Sequence, residues 1–217
     1  MPSGATTTST DKAPVTPTKR GSTRTKMLLT AAEVLREKGA AGVTIDEVLA
    51  RSGAPRGSVY YHFPDGRNQL LTEALQFAGD SITAVIDDAA EHGYIVLVRR
   101  FVEFWERTLI DSDFTAGCPV VAAAIGSSDD VPALTTIASN VLDRWRDALT
   151  RAFTADGFEV TDAVSLAWTS IASLEGAVVL CRSAKSVDPL HAVAEQIEFL
   201  IKSREFVRRN GIPSVDR

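Results

Sequence analysis

The groups whose type and spacing could do chemistry crowd into one stretch, Thr44 to Arg67, TIDEVLARSGAPRGSVYYHFPDGR. Arg56 offers a planar fork that matches the O6/N7 edge of guanine, a pairing that discriminates bases by ~1–3 kcal/mol. A phosphate contact is its alternative. Gly57 reads nothing itself but lets a backbone come close, and Ser58 can bond base or phosphate. Tyr60 and Tyr61 each carry an aromatic body and a hydroxyl, with packing as the other use for one of them. Thr44 and Arg67 stand at helix starts, where hydroxyl, charge and free amides hold backbone phosphates. Together this is the chemistry of duplex DNA: a few groups that read and several that fix register.

Those residues need short helices to aim them. From about Ser22, Met27, Leu28, Ala31 and Leu35 recur at helical spacing, and Gly39 opens a loop to Val43. Thr44-Ile-Asp-Glu47 forms a capping box, with Thr44 capping the Glu47 amide and Glu47 reaching back. Ile45, Val48 and Leu49 bury that helix. Gly53 suits a left-handed helix end and Pro55 the next helix start. Val59 and Phe63, four apart, anchor the second helix and leave Arg56, Gly57, Ser58, Tyr61 and His62 on its other face. This is a helix-turn-helix, whose second helix enters the major groove N-terminus first, bringing Arg56, Gly57 and Ser58 nearest the bases.

The remainder also reads as helix. A long one from Arg67 carries Leu71, Ala74, Leu75, Ala78, Ile82, Val85, Ile86 and Ala89 on one stripe and ends near His92-Gly93, a strut joining the module to the body. Further helices are predicted at about 95–110, within CPVVAAAI after the break at 111–117, and at about 131–153, 161–183 and 189–209. No strand-like alternation appears. The expectation is an all-α chain of about nine helices. Residues 1–21, rich in Ser, Thr, Pro and Gly, form a disordered arm, with Lys19 and Arg20 either tracking phosphates or merely solvated. Residues 22–69 form a three-helix DNA-binding domain, and 70–217 a helical ligand-binding and dimerisation domain.

Charge follows the same division. Up to Leu70 there are 10 Lys+Arg against 6 Asp+Glu, and beyond it 13 against 22, within a chain of net charge −5. Two cysteines, Cys118 and Cys181, are too few for a disulfide framework and suit a reducing cytoplasm. No apolar run approaches the ~18–20 residues that span a bilayer, and no secretory leader is evident. No membrane association, cofactor or metal is expected. Dispersed histidines, without His-Glu-x-x-His, Cys-x-x-Cys, a phosphate loop or a nucleophile elbow, leave no catalytic constellation, so an enzyme is not expected.

On the Thr-Ile-Asp-Glu-Val start, the Ser-Gly turn and Gly-Ser-Val-Tyr-Tyr-His-Phe followed by a basic residue and a Leu pair, the first third resembles the TetR family of bacterial transcriptional regulators. Phe63-Pro-Asp-Gly-Arg67 and Gly117-Cys-Pro119 resemble its LmrA/YxaF-like branch. The resemblance implies that one of Tyr60 and Tyr61 reaches phosphate and the other a base or thymine methyl, and that His62 contacts phosphate, with plain solvation as the alternative. It also implies a homodimer joined through the two C-terminal helices, reading a palindromic operator in double-stranded DNA. Ala167, Ile171, Ala172, Leu174, Gly176, Val178 and Val179 fit such a seam.

Phe101, Phe104, Trp105, Phe114, Val121, Ile125, Trp145, Leu149, Trp168 and Ile171 could line a pocket for a small apolar or aromatic effector; ordinary core is the alternative for each. Glu175, in a nearly apolar helix, either orients a polar effector group or sits in a structural pair. Cys118 belongs to the same candidate set, and raises a rival reading, a thiol sensor, against that of an inert buried cysteine. The expected function is a dimeric repressor released from its operator by the effector, with an activator as alternative.

Overall fold

The computed structural model describes residues 19–126 and 131–211, and side chains from Thr23 onward. The sequence-predicted arm over 1–21 therefore lies almost wholly outside the described residues, as do the side chains of Lys19 and Arg20. Among the described residues there are nine helices: α1 (Lys19–Gly42), α2 (Ile45–Ser52), α3 (Arg56–His62), α4 (Arg67–Ala90), α5 (Tyr94–Asp111), α6 (Pro119–Ile125), α7 (Ala133–Ala155), α8 (Val160–Ala184) and α9 (Asp188–Asn210).

Local rules explain the first three. α1 breaks at Gly39 (φ 71°), as its sequence requires, but turns on as helix to Gly42 instead of entering a loop there. Thr44 Oγ1 accepts the Glu47 amide at 3.1 Å. The reciprocal half of the capping box is absent: the Glu47 carboxylate accepts from Lys38 Nζ (2.7 Å) and Arg51 Nε (2.8 Å), two charged donors that outcompete one backbone amide. Both hold its carboxyl below the ordinary range, Lys38 most. Gly53 (φ 66°) ends α2 in the left-handed conformation, donating its amide to the Leu49 carbonyl, a geometry that a side chain would strain. Val59 and Phe63 are fully buried, fixing α3 to the core.

α4 runs from this module into the body, packing on α1 at one end and on α7 along its length. Gly79 permits the closest approach: a Cβ there would meet Val141 Cγ2 at 2.7 Å. Beside it, Trp145 Nε1 donates to Thr83 Oγ1 (2.9 Å), whose hydroxyl donates to the Gly79 carbonyl (2.7 Å), so every polar group of that buried contact is engaged. α8 lies between α7 and α9.

One sequence expectation is corrected. α8 is long and apolar enough, by length and composition, to cross a membrane. Its apolar residues serve two other surfaces: Leu166, Ala167, Leu174, Ala177, Val178 and Cys181 enter the core, whereas Trp168, Val179 and Leu180 face outward. A helix apolar all round needs cover on more than one side.

Candidate DNA interface and effector cleft

α3 exposes one face and buries the other. Arg56 projects with 86% of its side chain exposed, meeting Asp46 Oδ1 of α2 at 3.1 Å. Exposed pairs of this kind contribute little to stability, so the guanidinium is held loosely and is available to another acceptor. Nothing lies within 4 Å of a Cβ built on Gly57, which leaves the start of α3 open to close approach. Tyr60 and Tyr61 are 63% and 59% exposed, and Tyr61 meets His62 edge to face at 5.0 Å. Ser58 Oγ donates its proton to the Pro55 carbonyl at 2.5 Å. It is thereby a hydrogen-bond acceptor toward anything outside.

Two residues assigned to phosphate differ in placement. Thr44 caps α2 at the module's surface. Arg67 instead turns inward: Nε donates to the Val43 carbonyl (2.7 Å) and Nη2 to the Ala40 carbonyl (2.7 Å). Both lie at the α1–α2 junction, and the Ala40 carbonyl accepts the Val43 amide (3.2 Å) as well; carbonyls at a helix end are a natural sink for a guanidinium. Arg67 thus ties the start of α4 to the α1–α2 junction. Arg24, whose guanidinium lies over the Phe63 ring at 5.2 Å and pairs with Glu73, braces the same corner.

The body holds an apolar cleft of about 190 Å³ between α4 and α5, walled by Ile82, Val85, Ile86, Leu97, Phe101, Phe104 and Trp105. A second, of about 210 Å³, lies between α1, α4, α5 and α6, and shares Ser81, Ile82, Phe104 and Trp105 with the first. Clefts of this size admit only small organic molecules. Of the candidate effector residues, Phe101, Phe104 and Trp105 come together here. Trp145 and Leu149 are buried in the α7 core, Phe114, Val121 and Ile171 are partly buried against the core, Ile125 is exposed, and Trp168 lies outward under the Arg146 guanidinium at 5.4 Å. None of these lines either cleft. The sequence reading missed Leu29, Ala32, Glu33, Arg36 and Phe77, which wall the second cleft. Their helical periodicity was the only signal, and it is equally that of core.

Glu175 is 6% exposed, and neither carboxylate oxygen has a hydrogen-bond partner of normal geometry among the described residues. The structural pair anticipated from sequence is not formed. Burial pushes its pKa up from 4.5 to about 7, offset only in part by the neighbouring Cys118 thiol. The Cys118 thiol is itself buried and pushed up, by desolvation first and by Glu175 second; Cys181 is buried and raised as well. A reactive thiol requires the opposite shift.

Comparison with known proteins agrees with this geometry. Residues 28–74 match the model of bacterial regulatory proteins of the tetR family, and residues 95–196 match the C-terminal domain of LmrA/YxaF-like transcriptional regulators. An uncharacterised HTH-type transcriptional regulator of Mycobacterium tuberculosis is 38% identical over 184 residues, covering 82% of this chain and 93% of that one. The uncharacterised regulator YxaF of Bacillus subtilis is 26% identical over 189 residues, covering 86% and 99%. The crystal structure of a TetR transcriptional regulator from Chloroflexus aurantiacus superposes with a TM-score of 0.71 at 28% identity, covering 85% of this chain and 96% of that one.

Proposed function

As the chain belongs to the TetR family of bacterial regulatory proteins and carries the LmrA/YxaF-like C-terminal domain, we propose that it is a repressor that binds a palindromic operator as a homodimer and is released by a small apolar or aromatic effector. The observation that carries this reading is α3: its outward face presents Arg56, Gly57, Tyr60 and Tyr61 while Val59 and Phe63 lock its inner face. A reading helix must be both exposed and rigidly placed. Arg56 reads guanine, Ser58 accepts from a base amino group, one of Tyr60 and Tyr61 reaches phosphate and the other a base or thymine methyl, and Thr44 and His62 fix register on the backbone. Arg67 holds the strut to the module, leaving phosphate contact to the other residues of this surface.

One such module makes few base contacts, so specificity comes from doubling. Val179 and Leu180 of α8 and Phe199, Phe206 and Val207 of α9 are exposed apolar groups on two adjacent helices. Their exposure supports the dimer, in which the same helices of a second copy cover them. The cytoplasm is the matching location. An effector with higher affinity for a splayed state would tilt α4 and change the separation of the two α3 helices; only that differential affinity moves the equilibrium.

The direct test is a gel shift with the DNA upstream of the protein's own gene, titrated with salt. The expected result is saturable binding that weakens linearly on a log–log salt plot and survives competitor DNA. Binding no tighter than to random duplex would refute the reading.

A further inference from the structure

Resting on the effector reading above, we infer that the cleft between α1, α4, α5 and α6 takes an aromatic carboxylate or sulfonate, seated at the joint between the DNA-binding module and the body, with its acid group on Arg36 and its ring against Trp105. Two observations single out this place. Arg36 Nε and Trp105 Nε1 are both buried N–H donors without an acceptor among the described residues, and both residues wall this one cleft. Buried donors are almost always satisfied, and each exception calls for an account. The other core indole, Trp145, has its acceptor in Thr83; Trp105 lacks one.

Charge then selects the ligand class. The cleft's rings and aliphatic groups, Phe77, Phe104, Trp105, Ile82 and Leu29, call for an aromatic body. Of the two guanidiniums that wall the paired clefts, Arg100 is engaged by Asp88. Arg36 is the one with a donor unspent, and an acid group meets it with a charge-assisted bond. Glu33, one turn earlier on α1, is exposed at the rim, so its carboxylate stays solvated and disfavours an acid group placed outside rather than one seated inside.

The position has a regulatory consequence. The Gly117 amide donates to the Arg36 carbonyl at 3.0 Å, and Arg182 Nη2 of α8 donates to the carbonyls of Glu37 (3.2 Å) and Thr115 (2.8 Å). These bonds fasten α1 to the body beside the cleft, which Gly117 and Pro119 also wall. A ligand drawing on Arg36 pulls on α1 itself, so the signal reaches the DNA-binding module without crossing the body.

Two fluorescent probes of related skeleton test this: 8-anilino-1-naphthalenesulfonate, which carries the acid group, and N-phenyl-1-naphthylamine, which does not. Each is titrated into the full chain, into Arg36→Met, and into Ser81→Trp, which adds bulk from the exposed rim of the wall shared by both clefts. Arg36→Met is expected to lose about tenfold or more in affinity for the sulfonate and to keep its affinity for the neutral amine, which also shows that the variant is folded. Ser81→Trp is expected to weaken both. Equal losses in Arg36→Met, no loss for the sulfonate, undiminished binding of both probes in Ser81→Trp, or no saturable binding of the sulfonate to the parent chain would each overturn the proposal. The titrations contain no DNA, so a failure of operator binding and a failure of this site are separately visible.

Discussion

The two halves of the molecule treat polar groups in opposite ways. Around α2 and α3, polar side chains are either exposed and lightly held, as Arg56 is by Asp46, or fully engaged, as Arg67 is by two carbonyls and Glu47 by Lys38 and Arg51. In the body, and on the face of α1 that meets it, several are buried without a partner of normal geometry among the described residues: Arg36 Nε, Trp105 Nε1, Ser170 Oγ and both oxygens of Glu175. The first pattern belongs to a surface whose partner lies wholly outside the chain. The second belongs to an interior that holds unspent bonding capacity, and such groups cost more the drier their surroundings.

Perturbations should separate the halves in the same way. Phe63→Ala removes a fully buried ring beneath α3 and should cost about 3–5 kcal/mol by chemical denaturation, with operator affinity falling as the support is lost. Arg56→Ala should leave the denaturation midpoint unchanged and weaken operator binding by ~1–3 kcal/mol per half-site, together with lost preference at one base position in each, seen by fluorescence anisotropy on matched and substituted duplexes. Loss of stability in Arg56→Ala would erase the contrast.

Glu175 gives the body's counterpart. Its carboxyl titrates near 7 in the folded chain and near 4.5 when exposed. Between those values the native state holds a proton that the unfolded state has released, so stability falls as pH rises from about 4.5 to 7 and then levels off. Glu175→Gln should flatten that slope and, at pH 8, raise stability by on the order of 2–3 kcal/mol, measured by urea unfolding at a series of pH values. An unchanged slope would assign the titration elsewhere. Smallest of all, Thr44→Ala should cost ~1 kcal/mol through the lost α2 cap and weaken DNA binding without altering base preference.

Legibility in the sequence divides along the same line. Thr44, Gly53, Pro55, Val59 and Phe63 act through neighbours within four residues, so capping, left-handed geometry and i,i+4 spacing sufficed to place them. Glu47 escaped because its donors are supplied partly by Lys38 of another helix, and Arg67 because its acceptors, Val43 and Ala40, lie 24 and 27 residues away. The clefts were half legible: Phe101, Phe104 and Trp105 stood out as aromatic, but the opposite walls from α1 and α4 carry the same apolar spacing as residues that merely pack. Trp145 and Trp168 could not be sorted from Trp105 by composition; only the packing of α7 and α8 sends one to the core and the other outward.

The central claim, that two copies of α3 read one site, is tested most directly by selecting binding sites from random duplex DNA with the full-length protein. The account predicts a palindrome whose half-sites are centred about one helical turn (~34–36 Å) apart or more, each with a guanine whose preference disappears in Arg56→Ala. Enrichment of a single unpaired half-site, or of no sequence at all, would contradict it.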